Sequence, residues 1–299
     1  TVTIDGRLFL EYRYGHYVCR PYIYPVLTVD GQGLTRAYPM ENVERETQDH
    51  YHHRGVYVAH GLVNGFNLWA ESIGHGAMLQ RGEPVVGSDS KLAMIDGMID
   101  WFGPEGQKLL EERRTIHVRT DGDLRIVDHR IELRAKYGDV TFGDTKEGSM
   151  GIRTHPNLRL TNGKGVTTAN GHALNSAGHK DKELWGKRAK WVDYWGEIDN
   201  HTIGVAIFDH PDNLRHPTWW HARDYGLVAA NPFGIHNFEG KKKGVGDFKL
   251  KKGEQQQFLY GILFHEGDAQ AADIAGSYAK WVDAVAAYKV RAAEQTGNN

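Results

Sequence analysis

The chain has 299 residues, with 36 Lys and Arg against 38 Asp and Glu and a formal net charge of −2, so no global field gathers nucleic acid. Its 40% hydrophobic content includes no run near the roughly 18 apolar residues that span a bilayer. The single cysteine, Cys19, excludes an internal disulfide and a thiolate-only metal site.

Aromatic and branched residues in segment 7–30, broken by Gly15, Pro21 and Pro25, predict two or three short strands. Lys91–Asp100 is a further candidate. From Arg113 to Ala135, Ile116, Val118, Ile126, Ile131 and Leu133 alternate with charged residues around Thr120-Asp121-Gly122-Asp123, the clearest hairpin in the chain. Strand patterns follow at Asp139–Phe142, Met150–Thr154, Val192–Ile198, Thr202–Asp209, Gly226–Ala230 and Gln255–Phe264. No βα alternation is present, and only stacked or closed sheets bury so many half-apolar faces. The fold class is therefore all-β, a large two-sheet antiparallel β-sandwich in one domain over 1–299. Alanine-rich Asp268–Ala293, with Ile274, Tyr278, Trp281, Val282 and Val285 at three- and four-residue spacings, predicts one C-terminal α-helix on the sandwich. Gln295–Asn299 reads as a frayed tail. Gly163–Lys182 reads as a long polar loop, either a lid or a surface excursion, and Lys241–Lys243 as a solvated loop.

Histidine is the outlier: 17 residues is roughly twice the usual share. His50-Tyr51-His52-His53-Arg54-Gly55 precedes His60 and Asn64. Were the segment extended, His50 and His52 would share one face and His53 the other, so a metal site there needs further ligands. No metal ligand set is assigned, and a divalent metal stays open. Lys146 and Glu147 lie in a charged turn, where burial would tune them as acid and base; an ordinary surface turn has the same composition. The densest block, Asp209–Gly226, combines His210, His216, His221, Arg215, Arg223, Trp219 and Trp220 with two prolines. Indole faces cover the C–H side of a pyranose, while Arg and His bond its hydroxyls. One of the adjacent Trp219 and Trp220 is expected to face the core, and Trp185 is expected to extend the aromatic lining. Absence of Gly-x-Ser-x-Gly, Walker, Rossmann and His-Glu-x-x-His patterns removes serine-hydrolase, nucleotide and zincin readings.

Pro21-Tyr22-Ile23-Tyr24-Pro25, His52-His53-Arg54-Gly55, Val63-Asn64-Gly65, Asp144-Thr145-Lys146-Glu147-Gly148, Trp185-Gly186-Lys187 and Asp209-His210-Pro211 through His221-Ala222-Arg223 resemble a bacterial family of unknown function carried under the label "methane oxygenase PmoA". The chain departs from that pattern at Tyr51, where the family has Pro. Particulate methane monooxygenase subunits are membrane-embedded, and this chain has no segment able to span lipid, so the label implies no activity. The resemblance implies a galactose-mutarotase-like super-sandwich and a link to sugar catabolism. It also implies a cleft of His53, Arg54, His60, Asn64, Lys146, Glu147, His221 and Arg223.

The leading expectation is a carbohydrate-active enzyme, a hydrolase or lyase that cleaves a glycosidic or related C–O bond of a small sugar-like molecule. Glu147, His221, His53 and Lys146 are the catalytic candidates. Arg54, His60, Asn64, Arg223, Trp219 and Trp185 are the substrate-binding ones. A sugar epimerase or mutarotase, needing one acid and one base, is the first alternative; a non-catalytic carbohydrate-binding module is the second. The expected partner is a sugar or glycoside, with neither nucleic acid nor membrane; homo-oligomerisation and the compartment are left open.

Overall fold

The structure, a computed structural model, describes residues 1–44 and 46–296. Its strands are β1 (Val2–Ile4), β2 (Arg7–Arg13), β3 (Tyr22–Val26), β4 (Val56–His60), β5 (Ala77–Gln80), β6 (Val85–Ser88), β7 (Leu92–Phe102), β8 (Lys108–Asp121) and β9 (Leu124–Arg134) in the first half. The second half adds β10 (Val140–Phe142), β11 (Gly148–Arg153), β12 (His172–Asn175), β13 (Trp191–Ile198), β14 (His201–Asp209), β15 (Trp219–Ala222), β16 (Leu227–Asn231), β17 (Phe248–Leu250) and β18 (Gln255–Glu266). Two helices, α1 (Ile235–Glu239) and α2 (Ile274–Thr296), complete it.

Antiparallel pairing assembles a seven-stranded sheet in the order β1-β2-β3-β4-β11-β16-β15, and a nine-stranded sheet in the order β12-β13-β14-β18-β9-β8-β7-β5 with β6 also on β7. The predicted hairpin is β8–β9: Asp121 stands opposite Leu124 across Gly122-Asp123, and Gly122 has the positive φ of 58° that so tight a turn requires. Each predicted strand lies within two or three residues of an observed one. Short β1, β4, β5, β6, β12, β15 and β17 were not predicted. Among them, β12 and the turn before Trp185 occupy part of the expected Gly163–Lys182 loop, since His172–Asn175 pairs with Val192–Trp195 at a sheet edge.

A continuous apolar core, including Trp101, Ile131 and Phe258 from one sheet and Val58, Met150 and Trp220 from the other, fills the space between them. A second cluster lies outside the nine-stranded sheet, where Ile274, Tyr278, Trp281 and Val285 of α2 pack on Phe208, Leu259 and Leu263. Trp281 is 1% exposed and its indole N–H donates to Asp128 at 2.6 Å. Gly261 makes that approach possible, because a Cβ there would stand 2.6 Å from the indole. The helix begins after Asp273 rather than at Asp268. Asp268 instead closes a turn by accepting from the N–H groups of Gln270 and Ala271, and Asp273 accepts from Gly276 as an N-terminal cap. Of the predicted tail, Gln295 and Thr296 are helical and residues 297–299 lie outside the described residues. With α2 covering one sheet, the outer face of the other is left to its loops.

Candidate functional site

On the seven-stranded sheet, Tyr57, Gly151, Ala229 and His221 stand directly opposite one another across β4, β11, β16 and β15. Opposed residues share a face, and their neighbours Val58, Met150 and Trp220 point into the core, so this row lies on the outer side. Gly151 has no side chain to lift the Tyr57 ring, whose Cζ lies 3.3 Å from where a Cβ would be. Over Tyr57 the rings continue nearly parallel: His53 at 5.9 Å and 16°, His50 from His53 at 4.9 Å and 7°, and Tyr225 from His50 at 5.2 Å and 12°.

The histidine segment is a turn rather than a strand, closed by His53 N–H donating to the His50 carbonyl at 2.9 Å. The face alternation expected for an extended chain therefore does not apply, and all three rings meet, His52 lying 4.4 Å from His53 and 5.8 Å from His50. Buried Arg36 holds the approach to this turn by donating to the carbonyls of Thr47, Asp49 and His50 and to the Asp49 carboxylate. Buried Arg153 donates to His53 Nδ1 at 3.2 Å and to Asp49 at 3.0 Å. A guanidinium cannot accept, so His53 Nδ1 is the acceptor and Nε2 carries the proton. Burial pushes the His53 pKa well down, and burial together with Arg20 pushes His52 down to about 3. Burial would raise Asp49, but His50, Arg153 and Arg36 hold it below the ordinary carboxylate range.

The other half of the site centres on His221, which is 2% exposed. Its ring lies 5.0 Å from Trp185 edge to face and 6.4 Å from the nearly parallel Trp69. Nδ1 is 2.9 Å from the Lys146 carbonyl and 4.0 Å from Glu147 Oε2. The carbonyl can only accept, so Nδ1 holds the proton and Nε2 presents a lone pair. Burial, then Lys146 and Arg223, push His221 down to about 3, keeping it neutral near pH 7. Lys146 and Glu147 form an ion pair at partial exposure. Burial and Arg223 lower the Lys146 pKa, and the attraction of Glu147 opposes that shift. The Arg223 guanidinium packs 4.9 Å from the Trp185 ring centre and 5.3 Å from that of Tyr225.

The structure thus brings His53, Lys146, Glu147, Trp185, His221 and Arg223 to one face. Arg54 sits at its margin in a bidentate pair with buried Glu71, beside Arg20. Trp219 shares the face of His221, but Arg188 covers its ring at 4.4 Å and its N–H goes to Glu239, whereas Trp220 is the core member of the pair. His60 and Asn64 lie elsewhere. Even-numbered positions of β4 face inward, so His60 is 1% exposed between the sheets, against Phe142 and Phe233 and bonded to the Gly143 carbonyl. Asn64 adopts φ +51° in a turn and ties Asp139 to Thr141 through its side chain. Tyr57, Trp69, Tyr225, Arg36, Arg153 and Asp49 were missed. Tyr225 carried a signal as part of the dense 209–226 block, and Trp69 as the end of the segment that follows the histidine cluster.

Among the described residues, no group of three or more His, Cys, Asp or Glu side chains is disposed to hold a metal ion. No helix among them is long and apolar enough to cross a membrane. A cleft of about 480 Å³ opens elsewhere, lined by Thr28, Ser88, Lys91, Arg119, Arg125 and His201 among others. It contains none of the predicted site residues.

Solved structures similar to the chain include a galactose mutarotase related enzyme from Lactobacillus acidophilus, at 10% identity over 62% of this chain and 71% of that one, with a TM-score of 0.29. Another is the galactosidase domain of an alpha-galactosidase-sucrose kinase, at 11% identity over 71% of this chain and 30% of that one, with a TM-score of 0.33. No curated protein matches. The family that matches residues 1–279 carries no methane-oxygenase description, and by that match the chain belongs to the family of unknown function DUF6807.

Proposed function

We propose that this chain is a carbohydrate-active enzyme that cleaves a C–O bond of a sugar-like molecule by elimination, with His221 as the base. The observation that carries the reading is a neutral His221, its Nε2 lone pair uncommitted, set between two indoles and 4.0 Å from Glu147. Half-buried Trp185 supplies an apolar face for ring C–H groups, and buried Trp69 backs the His221 ring. His221 Nε2 takes a proton from carbon, that electron pair forms the C=C bond, and the C–O electrons leave with oxygen. The departing oxygen is protonated from the Lys146–Glu147 pair, while Lys146 and Arg223 stabilise developing negative charge.

Cations around one carboxylate favour elimination over glycoside hydrolysis, whose positively charged transition state is served by two carboxylates. Epimerisation needs acid and base on opposite sides of the reacting carbon, whereas His221 and Glu147 are adjacent. A binding module has no use for a buried, desolvated imidazole.

The test is a panel of glycosides and acidic sugars incubated in D₂O and read by mass and NMR. Elimination gives fragments whose masses sum to the substrate, apart from exchangeable deuterium; hydrolysis adds one solvent water; epimerisation leaves the molecule unfragmented and one mass unit heavier for the deuterium taken up at carbon. Glu147→Gln is expected to reduce turnover about 10²- to 10⁴-fold with binding retained. Sugar binding without turnover, unchanged by Glu147→Gln, replaces the enzyme reading with the module.

A further inference from the structure

We propose that the substrate of this site carries a carboxylate and that Arg223 binds it. The inference rests on the sugar-like substrate proposed above and narrows it to an acidic sugar.

The other guanidiniums of this face are committed or sealed off: Arg20, over the Tyr57 ring, has two nitrogens without a partner among the described residues but is 1% exposed. Arg54 is paired with Glu71, Arg36 and Arg153 share Asp49, and Arg159 donates to the Thr161 carbonyl and the Thr47 hydroxyl. Arg223 is different: among the described residues no carboxylate lies within ion-pair distance of it and no protein acceptor takes its side-chain N–H groups. The rings of Trp185 and Tyr225 hold it instead. Aromatic faces orient a guanidinium and leave its in-plane donors free. A part-exposed cation with a free donor fork, held in place before any ligand arrives, is preorganised for a planar anion.

Its surroundings confirm that the charge is felt locally. Arg223 contributes to the lowered pKa of both Lys146 and His221, so the three groups share one electrostatic neighbourhood. Lys146 is matched by Glu147, leaving one positive charge in excess beside the base. A planar donor fork held between two rings matches the two coplanar oxygens of a carboxylate. A carboxylate seated there also acidifies the adjacent C–H once its charge is neutralised, within reach of the electrostatics that hold His221 neutral.

The test is calorimetric titration of the full chain with D-glucuronate, D-glucose, a hexose phosphate and malonate at low and high salt. Glucuronate is expected to bind about tenfold or more tighter than glucose, as a charge-assisted bidentate contact provides, with only the glucuronate affinity falling in salt. Arg223→Met should close that gap by lowering the glucuronate affinity; Arg223→Lys should keep the salt dependence and lose most of the gap. Equal affinities for glucuronate and glucose in the wild type overturn the proposal while leaving the sugar reading intact, as does a gap that survives in a folded Arg223→Met. Tighter binding of the hexose phosphate overturns the carboxylate assignment. Arg223-dependent binding of malonate with no sugar bound supports the anion site and removes the sugar reading. Binding of none of the four overturns both.

Discussion

Lowering the pH from 7 to 5 is expected to remove most of the folding stability of this protein, because it buries histidines in their neutral form. His60, His129 and His221 are 1–3% exposed. Burial holds His60 down at about 4, and burial with neighbouring cations holds His129 and His221 at about 3. A folded-state pKa below the unfolded value of about 6.5 means that the unfolded chain gains protons first, so stability falls as pH falls through that interval. At pH 5 each such histidine favours unfolding by about 2 kcal/mol. Three together amount to about 6 kcal/mol, comparable with the roughly 5–15 kcal/mol that holds a typical domain folded, and His52, His53 and His155, likewise held down by burial, add to the loss in the same direction. His265 works in the opposite sense: burial alone would lower it, but Asp193 raises it, so its contribution is complete below the ordinary histidine value and trims the acid loss slightly. Asp49 and Glu71 are held below the carboxylate range and titrate further down. Urea unfolding by tryptophan fluorescence at pH 7, 6 and 5 measures the slope, which steepens toward pH 5 as each buried neutral histidine approaches its limit of about 1.4 kcal/mol per pH unit. His129→Gln should remove about 2 kcal/mol of the loss at pH 5. A loss below about 2 kcal/mol by pH 5, or a slope indifferent to His129→Gln, refutes the reasoning.

Trp281→Ala should destabilise by about 3–5 kcal/mol in the same assay, because it empties the centre of the α2 contact and takes the indole donor from Asp128 Oδ1. Gly55→Ala should cost more than about 2 kcal/mol and distort the histidine turn, since Gly55 has φ +53° and a Cβ would lie 2.1 Å from the Ile23 carbonyl oxygen. Asp193→Asn leaves buried His265 without its carboxylate 3.0 Å away. Thermal melts between pH 6 and 9 should show the stability gap between wild type and variant, about 3–5 kcal/mol at pH 6, narrowing as the pH rises.

Long strands were legible because period-two alternation, as in β8 and the end of β9, or an aromatic and branched run too short for a helix, as in β18, marks them. Strands of three to five residues, such as β4 and β15, are buried along their whole length, so no alternation marks them. The site was partly legible in the same way. His221, Arg223, Lys146 and Glu147 stood in charged, aromatic blocks that a core would not use. Arg36 and Arg153 were missed because their partners are main-chain carbonyls and a distant aspartate, contacts with no local signature. His60 and Asn64 were misplaced for a related reason: the inward parity of β4 and a turn with positive φ are set by pairing far along the chain.

The near-parallel column from Tyr57 through His53 and His50 to Tyr225 also makes the protein its own reporter. Carbon-bound protons of His50 lie between two stacked rings and are shielded by both ring currents, so their resonances should stand apart from those of the freely solvated histidines. Tyr225 in turn packs against Arg223. Any ligand that draws this guanidinium tilts one magnet of the pair, and site occupancy becomes readable in an unlabelled proton spectrum.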